Sequence, residues 1–182
     1  MVQIRKPRLT NAPTLLALYT AALMTPAVAQ QPLDPQTVTV GAWTIATTYK
    51  ADKFENCTMT RSADDLGITF VRDQDGLLLS LASSKWKLER GKAYAVHLSA
   101  GTRAVEGKAL AESRSVTIAL ADAALNKRLR TANALEVRGE GTTLRVPLDG
   151  SAAGLERLEA CFEKNLRQSP ESNPFVAPAK RP

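Results

Sequence analysis

A mainly β fold is what this sequence predicts: an antiparallel sandwich or a partly closed barrel of about eight or nine short strands with two helices, the last one C-terminal. Three observations carry that expectation. Short runs of β-branched and aromatic residues recur, with turn residues between them. The runs follow one another directly instead of alternating with helices, which favours antiparallel pairing. The apolar spacing turns helical in only two places, around 121–131 and near the end of the chain.

The elements run as follows. Residues 37–40 and 43–49 (Trp43-Thr44-Ile45-Ala46-Thr47-Thr48-Tyr49) read as strands, with a bulge or bend at Gly41. Residues 56–60 form a further strand and carry Cys57. Residues 68–72 and 77–81 flank Asp73-Gln74-Asp75-Gly76, a hairpin signal. Lys85-Trp86-Lys87-Leu88-Glu89 alternates apolar and charged positions and reads as a strand, and 94–98 continues after a turn at 90–92. Gly101 and Gly107 punctuate a looser stretch around Val105, before a strand at 115–120. Residues 121–131 place Ala124, Leu125 and Leu129 at helical spacing. Asp122 stands near the start and Lys127, Arg128 and Arg130 toward the end, an order that suits the helix dipole. Residues 135–138 and 143–148 pair across Gly139-Glu140-Gly141. Asp149 or Ser151 can cap a last helix whose Leu155, Leu158, Cys161, Phe162 and Leu166 share one face.

The chain of 182 residues divides into three segments. Residues 1–29 have the parts of a secretory signal in order: Arg5, Lys6 and Arg8, then an apolar run over 13–24, then Pro26 and the small residues Ala27-Val28-Ala29. Cleavage is expected between Ala29 and Gln30. A retained anchor needs roughly 20 apolar residues, and this run is shorter. Residues 30–166 form one β-rich domain. Residues 167–182, with Pro170, Pro174, Pro178 and Pro182 and little to bury, read as a disordered tail. The expected location is the periplasm or the extracellular space, without stable membrane insertion once the signal is gone.

The formal net charge of +6 overstates the basic character of the domain. Three of the 24 Lys and Arg fall in the signal and three in the tail, which leaves 18 against 17 of the 18 acidic residues. Binding to nucleic acid needs clustered cations that displace counterions from phosphates. Here the signs are interspersed, so nucleic acid is excluded as a partner. The two cysteines, Cys57 and Cys161, have only each other to pair with. Export into an oxidising space makes them a disulfide joining an early strand to the last helix.

Several chemistries find no support. His97 is the single histidine, and a Ser-His-Asp or Cys-His device would have to use it. There is no Gly-x-Ser-x-Gly elbow, and a zinc site wants more ligands than His97 and a bridged Cys pair supply. Asp73-x-Asp75-Gly76 shares the opening spacing of a calcium loop but lacks the later ligands, so a hairpin turn is expected. Asp64-Asp65 before Gly67 reads as a loop, and no spacing selects a glycosidase pair of carboxylates. Asn56-Cys57-Thr58 fits a glycosylation sequon on a strand whose Cys is expected to be bridged. Trp43 and Trp86 are expected in the core. No cofactor, metal or catalytic residue is assigned.

Gly41-Ala42-Trp43-Thr44-Ile45, the Cys-bearing strand after it, and the ending helix, hairpin and Val146-Pro147-Leu148-Asp149-Gly150-Ser151-Ala152-Ala153-Gly154-Leu155 together resemble the invasion-associated locus B family of exported alphaproteobacterial proteins. The likeness covers about 40 residues of apolar and turn pattern, without a catalytic signature. It implies an envelope or secreted β-rich protein, linked in the family to host-cell entry and without enzymatic activity. The family carries a Cys just after the Trp strand and a further Cys pair mid-chain. Neither is present here, so neither its disulfide scheme nor any binding residue transfers. The function expected is a non-enzymatic exported domain that binds a protein or envelope component, with no oligomeric state assigned. The alternatives are a periplasmic hydrolase with a carboxylate or Ser site, and a carrier of a small apolar ligand.

Overall fold

A computed structural model describes residues 37–51 and 53–168. The segment 1–29 expected to be a signal, its expected cleavage position Ala29/Gln30 and residues 169–182 of the expected 167–182 tail lie outside the described residues. In chain order the elements are β1 (Val38–Val40), β2 (Trp43–Lys50), β3 (Lys53–Ala63), β4 (Leu66–Asp73), β5 (Gly76–Ala82), β6 (Ala93–Ala100), β7 (Arg103–Ala111), β8 (Ser115–Ala119), α1 (Ala123–Arg128), β9 (Ala134–Arg138), β10 (Thr143–Pro147) and α2 (Ser151–Gln168). The ten strands among the described residues form one antiparallel sheet, in the order β1-β2-β3-β4-β5-β8-β7-β6-β9-β10, and the sheet does not close. The fold is therefore mainly β, with the second helix at the C-terminal end of the described chain.

Burial follows the two-residue period of a pleated strand. Trp43, Ile45 and Thr47 of β2 point inward, as do Cys57 and Met59 of β3 and Ile68 and Phe70 of β4. The Asp73–Gly76 turn forms as expected: the Asp73 carboxylate accepts the backbone N–H of Asp75 at 2.9 Å and of Gly76 at 3.0 Å. That local bonding is why Asp73 favours a turn. The edges are protected against pairing with another chain. β1 has three residues, and β10 ends in Pro147, which has no N–H to offer.

Several expectations are corrected. Residues 85–89 alternate like a strand but form an extended loop, because β5 pairs with β8 and no neighbour is left for them. The Leu88 N–H bonds Ser113 O at 3.0 Å and the Trp86 N–H bonds Ser83 O at 3.2 Å, which ties the loop down without a ladder. The stretch around Val105 is not loose. It is the nine-residue strand β7, held between β6 and β8. The first helix is shorter than 121–131. Asp122 caps α1 by accepting the Leu125 N–H at 2.6 Å, and after Arg128 the chain continues in turns. Neither Asp149 nor Ser151 caps α2 with its side chain: Asp149 is bound to Arg61, and the Ser151 hydroxyl donates to Leu129 O. Leu166 is 39% exposed and leaves the buried face. Arg167 and Gln168 still belong to α2, two residues beyond the expected end of the domain.

α2 packs on β2, β3 and β4, and α1 on β6 and β7. The sheet curls enough that Trp43, near one end of the strand order, donates its indole N–H to Asp149 O just beyond β10, at 2.9 Å. Gly154 lets α2 approach this closely: a Cβ there would lie 2.6 Å from Met59 Sδ and 3.5 Å from Trp43 Cγ. Charge fixes the helix as well. Arg72 bonds Glu159 through two nitrogens, at 2.9 and 3.3 Å, with its guanidinium 4.4 Å from the Phe162 ring centre. The Cys57–Cys161 disulfide joins β3 to α2 across a sequence separation of 104.

Candidate functional site: an apolar groove on the inner sheet face

The inner face carries α2 over β2–β4 and α1 near the Ala100 end of β6, where Arg103 and Asp122 pair. At the other end of β6 lies a groove of about 560 Å³. Strand alternation puts Tyr94 and Val96 of β6 on its floor, with Val137 of β9 and Leu144 of β10 beside them; Val137 and Leu144 are paired across the ladder. Opposite Tyr94 stands Ala109 of β7. A methyl group there leaves the space that a larger side chain would fill. The 85–89 loop supplies the far wall with Trp86 and Leu88, both half-buried and packed against the core. Trp86 is thus part core, as expected, and part groove. Trp43 is wholly core, at 0% exposure.

Polar groups lie at the rim. Lys92 donates to Glu89 at 3.2 Å and lies 5.5 Å from the Tyr94 ring centre. The bond to Glu89, and then its negative charge, holds the Lys92 ammonium above the usual lysine range. Glu140, at the tip of the β9–β10 hairpin, is exposed and has no ion-pair partner among the described residues. An apolar floor with few polar groups at one end is the general form of a small-molecule site.

A second cleft, of about 590 Å³, lies between α1, α2 and the β4–β5 turn. Its floor includes Leu77, Leu120 and Leu155. Its Glu159 is bound by Arg72, and the buried Oδ1 of Asn126 has no hydrogen-bond partner.

The remaining residues singled out from sequence are spread over the fold. Cys57 and Cys161 are bonded to each other, with the Thr47 hydroxyl 3.4 Å from the Cys161 sulfur. His97 sits on the outer face of β6, its Nδ1 3.9 Å from Glu106 Oε1, too far for a hydrogen bond. Asp64 and Asp65 form the β3–β4 turn, where Asp64 has φ +51° and Asp65 pairs with Lys85. Among the described residues no group of three or more His, Cys, Asp and Glu is placed to hold a metal ion. None of their helices is long and apolar enough to cross a membrane.

Fold and groove together define a disulfide-linked β protein whose open sheet is covered by helices over part of its inner face and left bare over the rest. Its structure is similar to the crystal structure of invasion associated protein B from Bartonella henselae, with a TM-score of 0.49 and 22% identity over 73% of this chain and 99% of that chain. No family model and no curated protein matches the chain.

Proposed function

We propose that this protein is an exported, non-enzymatic binding domain of the bacterial envelope or its surroundings, with the groove at Trp86, Tyr94 and Leu144 as its ligand site. One observation carries the reading. The groove has the volume of small-ligand sites, roughly 300–1,000 Å³, and its walls are aliphatic and aromatic. Such a surface binds by removing apolar area from water, which stabilises a complex by about 25 cal/mol per Å² before association costs. Glu140 is the single carboxylate on the lining, whereas a glycosidase needs two facing each other. The small-ligand carrier is therefore the form of binding that the geometry favours over a macromolecular partner. The signal-like leader and the disulfide support export, and the family resemblance supports an envelope or host-interaction setting.

The test is a titration of the purified protein with N-phenyl-1-naphthylamine, whose fluorescence rises in apolar surroundings. Saturable binding is expected, and it should be abolished in the Trp86→Ala/Leu144→Gln double variant with the far-ultraviolet circular dichroism unchanged. Binding undiminished in that variant would place the apolar site elsewhere. No saturable binding to the wild type would refute the reading.

A further inference from the structure

The groove carries two charged side chains, and they are not equivalent. Lys92 is already matched: Glu89 lies 3.2 Å from its ammonium, and the Tyr94 ring faces it. Glu140, at the β9–β10 hairpin tip, makes no contact ion pair among the described residues, and its charge acts on Lys92 only at longer range than that of Glu89. Glu89, Lys92 and Glu140 together leave one uncompensated negative charge at the rim. Trp86 adds an indole with no cation over it among the described residues, and an indole face is the strongest cation acceptor of the aromatic side chains. Resting on the binding reading above, we propose that the groove selects a small hydrophobic cation: an alkyl or aryl body against Leu88, Val96, Val137 and Leu144, with an ammonium or guanidinium group near Glu140 and Trp86.

The magnitudes divide the work. Burying the apolar body supplies the affinity, because each methylene removed from water contributes about 0.8 kcal/mol. The charge supplies the selection, and an exposed ion pair changes affinity only about two- to fivefold. The same body with an anionic head loses that factor, since the only cation on the lining is held by Glu89.

The experiment compares decyltrimethylammonium with decanoate, equal in chain length and opposite in charge, by displacement of N-phenyl-1-naphthylamine from the purified protein. Both are kept below micelle formation, in low salt near neutral pH. Decyltrimethylammonium should bind about two- to fivefold more tightly. Glu140→Gln should erase the difference between the two amphiphiles. Salt at about 0.5 M should shrink the difference in the wild type as well, because the pair is exposed. Equal or tighter binding of decanoate, or a preference that survives in Glu140→Gln, would overturn the charge assignment and leave the groove standing. Failure of both probes to displace bound dye would remove the groove as a site for such amphiphiles, and this inference with it.

Discussion

The two halves of the inner sheet face are built to opposite ends. Over β2–β4 a long helix is fastened by a disulfide, an indole hydrogen bond and a bidentate Arg72–Glu159 pair, and Trp43, Met59 and Phe70 are fully buried beneath it. Over the Tyr94 end of β6 and the adjoining ends of β9 and β10 an irregular loop stands in for a helix, and aromatic and aliphatic side chains remain half-open to water. The difference teaches where stability and function are placed: the sealed half holds the fold, and the bare half offers a surface.

Changes in the sealed half should therefore cost stability, and the largest effect should follow loss of the disulfide. With a separation of 104 residues, the chain-entropy account gives about 4–5 kcal/mol. A Cys57→Ala/Cys161→Ala protein, measured by urea unfolding, is expected to lose that much, and a loss below about 1 kcal/mol would mean that packing alone holds α2. Trp43→Phe comes next. It removes the part-buried hydrogen bond to Asp149 O, and a typical bond of this kind contributes about 0.5–1.5 kcal/mol.

Gly154→Ala sets two terms against each other. Alanine gains about 1 kcal/mol in helix propensity, but its Cβ meets Met59 Sδ at 2.6 Å in a core where overpacking costs about 1–3 kcal/mol. Met59 is fully buried and has little room to move, so a net loss is expected in thermal unfolding. A rise in Tm would show that α2 has slack over the sheet.

Acid should act more weakly. Asp122, held by Arg103 and then by the Leu125 N–H, and Asp149, held by Arg61, both have carboxyls below the usual aspartate range. A group whose pKa is lower in the folded state contributes stability above its unfolded pKa, near 3.9, and loses it as pH falls through the folded value. Tm should drop on acidification below about pH 4, and the drop should be shallower in Asp122→Asn/Asp149→Asn. Trp86→Ala should have the smallest effect on stability, within about 1 kcal/mol, because the residue is half-exposed on a loop. Its effect on ligand binding should be large.

How legible each half was follows from the same contrast. The sealed half announces itself locally, through alternation in 43–49, the Asp73–Gly76 turn and the helical spacing of Leu155, Leu158 and Phe162. The groove does not. Its lining comes from β6, β7, β8, β9, β10 and two connecting segments, and Tyr94, Val137 and Leu144 read one at a time as ordinary core positions. The partner order of the strands leaves Tyr94 and Leu144 half-buried, with Val137 almost wholly buried beside them. That order also decides the two misread segments: Lys85–Glu89 has strand alternation but no neighbouring strand, while β7 hides its strand character behind Gly107 and small residues and is held by β6 and β8.

The contrast between the halves is tested most directly by methyl-resolved NMR of the protein titrated with N-phenyl-1-naphthylamine. The account predicts shifts concentrated at Leu88, Val96, Val137 and Leu144, with Leu155 and Leu158 on the buried face of α2 unmoved. Shifts largest at Leu155 and Leu158, with the groove methyls unchanged, would contradict it.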